Sequence, residues 1–595
     1  FEDNTKYAVN NINKNNIIAT GNRWGSPEGP GSTVYGAMIT STWLEKDPRL
    51  EPKPVKCCSS ILFLPGFQAS RLYTGTNRLW EPNRNDDVRK LFLDSEGKSL
   101  DPAVYTAGVL EAAFGLKNIY KKFVAMMNGV VADKTINEWQ PFAYDWRMGV
   151  SEIVSGDTQY ATTTKNLISE VERLAQASKT GKVTIISHSN GGLAAKMLGY
   201  ELEKQGKSDL IDRVIFLAVP HLGTPQSVLG MLHGSGQAIL GGAVLSGDVA
   251  RSFGVNMLGA YGLLPSEEYF RAIVDPILSF AGKAVGTYSD FIDFLIGKSD
   301  GRTDPKEKDL KVPALLSPNL LAKSEWMHRI LDTWKFPSPI KVLSIAGWGV
   351  PTTRAVEYEG KSVRMKKNAN GDGTVVSESA LWYGGGYGGD EIYFNQAVYQ
   401  RNTKKSLLHA DILESDSILS FMGELLATSS LVFESKPLPA YLSYQKPNAS
   451  DYPWMSWITV SVHSPVDIDL YDDQGGHIGV VPLPGDPESD IKWVENTIPG
   501  GQYENIGDEK YITIPNDNAY SVLLNGTDIG EFTLNIRKFS GEDMEEVASS
   551  TYPNLPVTPL TSASVTISPV IADPPLEITD EADASVITIN PCQAI

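Results

Sequence analysis

A serine that could act as a nucleophile lies in the segment Ile185–Gly192, "IISHSNGG". An apolar run leads directly into Ser189, and Gly191 and Gly192 follow it. A serine hydroxyl can attack a substrate when it projects from a tight strand-to-helix turn, and such a turn requires small neighbouring residues. The pattern is S-x-S-x-G, with Ser187 where G-x-S-x-G has its first glycine. The pattern favours Ser189 as a nucleophile, and the alternative is a polar residue in an ordinary turn.

A serine nucleophile needs a histidine to accept its proton and a carboxylate to orient that histidine. In a strand-turn-helix arrangement of this kind the chain order is serine, acid, histidine. Elimination among the seven histidines leaves His409, in "SLLHADIL", as the base. The others adjoin the serine (His188), precede any candidate acid (His221), or fall in the helix-rich segment or second domain described below (His233, His328, His463 and His477).

The candidate acid is Asp372, which stands between two glycines in "NANGDGTV". It lies at a suitable distance beyond a predicted strand that ends at Ala346, and it precedes His409. An alternative is half of a calcium loop, because Asn368, Asn370 and Asp372 alternate before a glycine. Such a loop requires a bidentate acid at its twelfth position, where this chain has a serine. We therefore predict neither a metal nor a cofactor.

An oxyanion hole requires two backbone N–H groups directed at the developing negative charge. One donor is the residue after the nucleophile, Asn190. The second comes from a loop after an early strand, and "LFLPGFQAS" fits this position. There the Pro65-Gly66 turn would present the N–H of Phe67.

The elements that must position these residues alternate short apolar runs with amphipathic segments, which is typical of an α/β sheet covered by helices. We predict an α/β catalytic domain over residues 57–430, with a helix over Lys165–Ala177. Between residues 226 and 337 the alternation gives way to helical spacing. We interpret this segment as a cap, or lid, over the mouth of the sheet, and the alternative is an ordinary helical extension of the core. The predicted buried strands are Ile61–Leu64, Val183–Ile186, Val214–Val219 and Val342–Ala346.

The remaining chain divides by composition. Residues 1–56 form an amino-terminal extension, and 431–453 form a proline-containing linker. Residues 454–545 alternate apolar and polar types between turn residues, which predicts an all-β sandwich. Residues 546–595 are acidic and proline-rich, and we expect a tail or the start of a further β module. We expect the sandwich to serve as a spacer or to bind a glycan or another surface ligand.

Composition limits the classes of partner. Hydrophobic residues make up 42% and charged residues 21% of the 595, as in globular proteins. The net charge of −19 argues against a nucleic-acid partner, since phosphate binding needs clustered Lys and Arg. No stretch approaches the roughly 18 apolar residues of a transmembrane helix. The chain starts at Phe1, and we expect that a signal peptide has been removed and that the protein is secreted or held at the cell surface.

Seven stretches together resemble the lecithin:cholesterol acyltransferase family, which includes the lysosomal phospholipase. They occur in the family's order and cover roughly residues 59–428: "LPGFQASRL" (Leu64–Leu72), "YDWR" (Tyr144–Arg147), "SHSNGG" (Ser187–Gly192), "GLLP" (Gly262–Pro265), "GWGVPTT" (Gly347–Thr353), "GDGTV" (Gly371–Val375) and the late His409. "YDWR" can be read without a substrate role, as a strand end with a buried Trp146 and an Asp145–Arg147 ion pair.

The resemblance implies an α/β-hydrolase fold with Ser189, Asp372 and His409 as a triad and Phe67 and Asn190 as oxyanion donors. It also implies a mobile lid over an acyl pocket. The chain departs from the family at Ser187, and between residues 71 and 100 it lacks the cysteine pair that would close a membrane-engaging loop. A membrane-engaging loop closed by a disulfide is therefore not expected, and transient interfacial contact is retained as an open alternative.

The residues and the resemblance together predict a serine hydrolase that cleaves hydrophobic, lipid-like acyl esters through an acyl-enzyme. One alternative is an acyltransferase that passes the acyl group to an alcohol, since both reactions use the same residues. An alternative of another class is a non-catalytic surface or adhesion protein, in which the sandwich binds and the hydrolase scaffold is idle.

Overall fold

The computed structural model describes most of the chain from Cys58 to Gln593. Within that range it leaves out residues 236–237, 240–242, 274–275, 304, 307–308, 361, 384–385, 387–389, 428–436, 464, 571–573 and 581–584. Nearer the amino terminus it describes four two-residue strands: Val9–Asn10, Ile17–Ile18, Val34–Tyr35 and Met38–Ile39. The first pairs in parallel with the third, and the second with the fourth.

The catalytic domain is an α/β fold built on a seven-stranded sheet. Six strands are parallel, and the short seventh is antiparallel. The spatial order is Trp139–Pro141, Ser60–Leu64, Val183–His188, Ile211–Leu217, Lys341–Trp348, Asp390–Asn395 and Leu442–Ser443. The four strands predicted from apolar runs are adjacent in this order, and nearly all their residues are buried because helices cover both faces.

Helices of the catalytic domain pack around this sheet, and the predicted helix before the serine is observed over Leu167–Ala177. Outside the cap, the other helices are Asn85–Arg89, Lys121–Ala132, Val150–Ser155, Asn190–Lys204, Ser377–Leu381, Gln396–Thr403 and Asp416–Leu426, with 3-10 turns at Ser208–Leu210, His409–Glu414 and Ala449–Asp451. The carboxyl ends of the parallel strands meet at one edge of the sheet, which is where loops of an α/β fold form a site.

The domain also contains smaller sheets. A three-stranded sheet contains Asn77–Trp80, Ser70–Thr74 and Tyr105–Val109. A four-stranded sheet contains Lys283–Val285, Leu278–Phe280, Thr352–Glu359 and Ser362–Asn368. Two-stranded pairs are Ala112–Ala113 with Lys117–Asn118 and Asp157–Gln159 with Thr164–Asn166.

The segment predicted as a cap, 226–337, contains both helices and short strands in its described residues. Its helices are Gln226–His233, Gly247–Gly254, Leu258–Tyr261, Glu267–Ala272, Tyr288–Leu295 and Pro318–Leu331. It also contains a short strand pair, Ala238–Ile239 with Ala243–Val244. The second strand of that pair aligns antiparallel with Lys492–Asn496 of the second domain. The cap is thus joined by backbone pairing to the β domain.

The second domain has two antiparallel sheets. One contains Gln502–Ile506, Glu509–Pro515, Ser456–His463, Gly530–Ser540, Glu545–Val557 and Cys592–Gln593 in spatial order. The other continues from the cap pair through Lys492–Asn496, His477–Pro482, Val466–Asp472, Tyr520–Gly526, Thr561–Ile567, Leu576–Asp580 and Ser585–Ile589. Their inward residues form a separate apolar core.

Residues 546–595, which were expected to form a tail or the start of a further β module, contribute strands to the sandwich itself. Strands of that segment belong to the two sheets of the sandwich, and Tyr552, Val565 and Leu576 are buried in its core. The acidic, proline-rich composition obscured an alternation of buried and exposed residues that is plain over Thr561–Ile567. The sandwich therefore extends from Ser456 to Gln593 in its described residues rather than ending near residue 545.

Among the described residues, no helix combines the length and apolar character that crossing a bilayer requires.

If the carboxyl-terminal strands belong to the sandwich core, Leu576→Ala will lower the free energy of unfolding by about 2–5 kcal/mol, because it leaves a cavity in that core. Leu576 is 0% exposed, whereas Leu560 in the same segment is 51% exposed. The matched control Leu560→Ala should change stability by less than about 0.5 kcal/mol. Urea unfolding measures both, and equal effects of the two variants would contradict this assignment.

The buried His233 of the cap makes stability depend on pH. Its Nδ1–H donates to the carbonyl of Leu310 at 2.7 Å, and its Nε2 accepts from the hydroxyl of Tyr358 at 2.9 Å. Burial lowers the pKa of His233 to about 4. The unfolded side chain titrates near 6.5 and takes up a proton first as pH falls. The stability contributed by neutral His233 is therefore complete above about pH 6.5 and is lost toward pH 4.

Between about pH 8 and pH 5, the wild type should lose about 2 kcal/mol more unfolding free energy than His233→Gln, since glutamine does not titrate. Urea unfolding of both proteins at each pH checks this difference. Identical pH dependences would show that His233 does not remain neutral in the folded protein.

Candidate active site

Ser189 forms the turn between the strand Val183–His188 and the helix Asn190–Lys204. Its backbone has φ 53° and ψ −131°, a conformation that non-glycine residues rarely adopt. Its N–H donates to the carbonyl of Leu217 at 3.0 Å, which ties the turn to the neighbouring strand. The sharp turn and its strained backbone match the elbow geometry that exposes a serine hydroxyl above a sheet.

The two glycines after Ser189 allow the helix to approach the sheet. A Cβ at Gly191 would lie 2.2 Å from the carbonyl oxygen of Leu64, and one at Gly192 would lie 2.2 Å from the side chain of Val219. Both distances are far below van der Waals contact. Only glycine fits at either position without moving the helix, and the turn at Ser189 depends on that close approach.

The three predicted side chains lie together at the carboxyl edge of the sheet. The Nε2 atom of His409 lies 2.8 Å from the hydroxyl of Ser189, and its Nδ1 atom lies 2.7 Å from Oδ2 of Asp372. Ser189 is 7% exposed, and the side chains of His409 and Asp372 are 12% and 1% exposed. Such a chain of contacts lets an imidazole accept the serine proton while a carboxylate fixes its orientation.

Asp372 is held by its own loop. Its Oδ1 accepts the backbone N–H groups of Thr374 at 2.9 Å and Val375 at 2.8 Å, which leaves Oδ2 for His409. Gly373, with φ 95°, donates its N–H to the hydroxyl of Thr352. Both carboxylate oxygens thus face N–H donors. This use of the carboxylate differs from the calcium-loop alternative, in which they would face a cation.

A second histidine, His188, is hydrogen-bonded to the backbone of His409. The Nε2 of His188 lies 3.0 Å from the backbone carbonyl of His409, and its Nδ1 lies 2.7 Å from the hydroxyl of Tyr120. Tyr120 in turn accepts the N–H of Gly66 at 2.9 Å. A carbonyl only accepts, so Nε2 of His188 carries the proton and Nδ1 accepts from Tyr120. This chain of hydrogen bonds links the predicted oxyanion loop to the backbone of His409.

The protonation states of this chain follow from burial. Burial and the nearby His409 hold the pKa of His188 well below its usual value, so the ring stays neutral. Burial raises the pKa of the Tyr120 phenol, which therefore remains a donor. Sequence reasoning missed Tyr120 because it lies 68 residues from His188 and belongs to no motif.

The two predicted oxyanion donors belong to segments that adjoin the serine. Asn190 begins the helix, so its N–H has no partner within the helix. The loop with Phe67 is adjacent to the nucleophile, since a Cβ at Gly66 would lie 3.1 Å from Cβ of Ser189. In the described part of the chain, neither N–H is engaged by another group. Both are thus free to bind an oxygen next to Ser189.

The "YDWR" segment contacts the loop that contains Pro65 and Phe67. The hydroxyl of Tyr144 donates to the carbonyl of Pro65 at 2.6 Å. Asp145 and Arg147 form a two-point ion pair at 2.6 and 2.9 Å, and Trp146 is fully buried. These contacts agree with the interpretation of the segment as structural.

A cavity of about 980 Å³ opens at Ser189 and His409. From the cap it is lined mainly by apolar side chains, namely Met231, Leu245, Phe253, Met257 and Leu263. A cavity lined in this way suits a hydrophobic chain next to the reacting centre.

The second domain also lines the cavity, which sequence reasoning did not anticipate. Trp493, Tyr503 and neighbouring polar residues of the sandwich face the same space as Ser189. The ring of Trp493 lies 5.9 Å from that of Phe114 in the catalytic domain, in an edge-to-face arrangement. The sandwich therefore forms part of the wall of the cavity.

Solved structures that are similar to the chain share little sequence with it. The Tle4–Tli4 complex has 12% identity and a TM-score of 0.38, covering 62% of this chain and 97% of that one. The propeptide form of the Bacillus licheniformis lipase BlEst2 has 12% identity and a TM-score of 0.25, covering 91% and 94%. Phospholipase PlaB from Legionella pneumophila has 10% identity and a TM-score of 0.20, covering 90% and 91%. No curated protein matches the chain in sequence.

The model of one family matches the middle of the chain. The lecithin:cholesterol acyltransferase model covers residues 108–391, which include Ser189, Asp372 and the cap. The match confirms the family that the sequence motifs predicted. Over residues 108–391 the chain is therefore similar to the lecithin:cholesterol acyltransferase family.

Proposed function

We propose that the protein is a serine hydrolase that cleaves hydrophobic acyl esters through an acyl-enzyme. The observation that carries the proposal is the position of the His409 imidazole, within hydrogen-bond distance of both Ser189 and Asp372. The same two contacts define the serine, histidine and aspartate machinery of acyl transfer on unrelated folds. The family match supports acyl ester chemistry independently of this geometry.

In the first half of the reaction, Nε2 of His409 accepts the proton of the Ser189 hydroxyl as its oxygen attacks the ester carbonyl carbon. The carbonyl oxygen becomes an oxyanion and binds the N–H groups of Phe67 and Asn190. The tetrahedral intermediate collapses when the carbon–oxygen bond to the alcohol breaks. His409 then returns the proton to the departing alcohol, and the acyl group stays on Ser189.

In the second half, water takes the place of the alcohol. His409 accepts a proton from the water as its oxygen attacks the acyl carbon, and the same N–H groups bind the oxyanion again. The bond to Ser189 breaks, the serine recovers its proton, and a carboxylic acid leaves. The carboxylate of Asp372 stabilises the imidazolium form of His409 in both halves of the reaction.

The substrate class follows from the cavity. Five apolar side chains of the cap surround the space beside Ser189, and burying methylene groups there contributes about 0.8 kcal/mol each. A hydrophobic acyl chain fits this apolar part of the lining. Lipid esters are therefore the proposed substrates, in agreement with the family.

A fluorophosphonate probe should label the wild type, and Ser189→Ala should abolish the labelling. The same variant and His409→Ala should lower kcat/KM on a p-nitrophenyl ester by at least about 10⁴-fold. Ser187→Ala is the matched control, because Ser187 is buried two residues away and, within the part of the chain that the structure describes, its hydroxyl donates a hydrogen bond only to the carbonyl of Ile215, at 3.4 Å. It should keep the labelling. A wild type that resists the probe and hydrolyses no ester would favour a non-catalytic surface protein instead.

Hydrolysis and acyl transfer to an alcohol use the same residues and differ in what attacks the acyl-enzyme. If the protein also transfers acyl groups, a long-chain alcohol added to the assay will yield a new ester at the expense of the free acid. Mass spectrometry of the lipid products measures both. Free acid alone at every alcohol concentration would identify the protein as a hydrolase only.

A further inference from the structure

The sandwich contacts the strand that delivers Asp372 at both of its ends. This strand, Ser362–Asn368, leads directly into the acid loop, residues 369–375. At its start, the hydroxyl of Ser362 donates to Glu509 at 3.0 Å, and the hydroxyl of Tyr511 donates to the carbonyl of Val363 at 2.7 Å. At its end, Lys367 contacts the sandwich residues described next. The path of the chain into the acid loop is thus fixed against the second domain.

Gln502 lies at the end of this contact and next to the acid loop. It is 5% exposed, and its Oε1 accepts from Lys367 Nζ at 2.9 Å. Its Nε2 donates to the carbonyl of Pro351 at 2.8 Å. A Cβ on Gly373, the residue after Asp372, would lie 3.1 Å from Nε2 of Gln502. The side chain of Gln502 therefore bonds to Lys367, in the strand before the acid loop, and to Pro351, and it lies next to Gly373 in the loop itself.

The residues next to Pro351 are hydrogen-bonded to the acid loop on both sides of Asp372. The N–H of Val350 donates to the carbonyl of Gly371 at 3.2 Å, and the hydroxyl of Thr352 accepts the N–H of Gly373 at 2.9 Å. These bonds hold the residues immediately before and after Asp372. A change in the position of Pro351 would therefore shift the carboxylate that orients His409.

The histidine loop, residues 405–409, is tied to the same sandwich segment. Oε1 of Gln400, which is 4% exposed, accepts both the N–H of Gly500 at 3.0 Å and the N–H of Leu407 at 3.2 Å. Leu407 stands two residues before His409, and Gly500 stands two before Gln502. The two loops of the triad thus meet on one short stretch of the sandwich.

A buried ion pair strengthens this junction. Lys367 pairs with Glu504, and their side chains are only 6% and 11% exposed. Removing one partner of such a pair leaves a buried charge without compensation, so the two domains resist separation here. The junction is therefore built of specific polar contacts and not only of apolar surface.

We propose that the segment Gly500–Glu504 of the sandwich is a positioning element of the catalytic site, with Gln502 and Gln400 as the positioning residues that hold Asp372 and His409 in register. The inference rests on the proposed function, because it assigns a role to the sandwich in the same acyl transfer. The sandwich is then an integral part of the catalytic unit, rather than a spacer or an attachment module alone.

The test substitutes Gln502→Met in the full chain, which keeps the length and volume of the side chain but removes both hydrogen bonds. A displacement of the acid loop should lower kcat on a p-nitrophenyl ester by about 10- to 100-fold and leave KM within about two-fold. Gln502→Glu keeps the acceptor for Lys367 but sets a carboxylate oxygen against the carbonyl of Pro351, so it should recover none of the loss. The matched control is Gln474→Met, because Gln474 is an exposed glutamine in a sandwich turn; it should match the wild type.

The same substitution in an Asp372→Asn variant distinguishes a positioning role of Gln502 from a general loss of stability. If Gln502 acts through Asp372, adding Gln502→Met to Asp372→Asn should lower kcat by less than two-fold further. A full, multiplicative loss in that background, or a wild-type kcat in Gln502→Met, would overturn the inference while leaving the proposed function in place. A wild type that neither turns over the ester nor reacts with fluorophosphonate would overturn both.

Discussion

The imidazole of His409 must remain between a hydroxyl and a carboxylate that are 183 residues apart in sequence. Contacts of 2.8 Å to Ser189 and 2.7 Å to Asp372 leave little room for displacement, because hydrogen bonds weaken steeply with distance and angle. The rest of the fold serves this constraint. The parallel sheet brings the elbow and the oxyanion loop to one edge, the glycines after Ser189 let the helix approach, and Tyr120 and His188 hold the backbone of His409.

Two sets of contacts support the segment that contains His409. On the side of the sheet, His188 stays neutral and donates to the carbonyl of His409. On the side of the second domain, Gln400 and Gln502 connect the histidine and acid loops to the sandwich. A site built from long loops loses its geometry unless those loops are fixed by packing and hydrogen bonds from outside. Here part of that fixation comes from a domain that supplies no member of the triad.

Much of the catalytic domain could be predicted from sequence, because its determinants are local. Four buried strands are short apolar runs, and the elbow requires small residues next to Ser189, so both leave a pattern in adjacent positions. The order of serine, acid and histidine along the chain, together with elimination among the histidines, then identified Asp372 as the candidate acid and His409 as the candidate base. The place of the carboxyl-terminal strands in the sandwich could not be predicted, because proline and acidic residues hid the alternation of buried and exposed positions. The structure shows that alternation, with Val565 and Leu576 buried in the core. The contact of Gln502 with Pro351 joins residues 151 apart, and a single glutamine in a strand carries no local sign of such a partner.

The most direct test of the account is the mass of the Ser189 peptide during turnover. Rapid quenching of the enzyme with a p-nitrophenyl ester, followed by proteolysis and mass spectrometry, should show that peptide heavier by one acyl group, and the adduct should disappear when the ester is consumed. Steady turnover with an unmodified Ser189 peptide, or with the acyl group on another residue, would contradict the claim that Ser189 carries the acyl group between the two halves of the reaction.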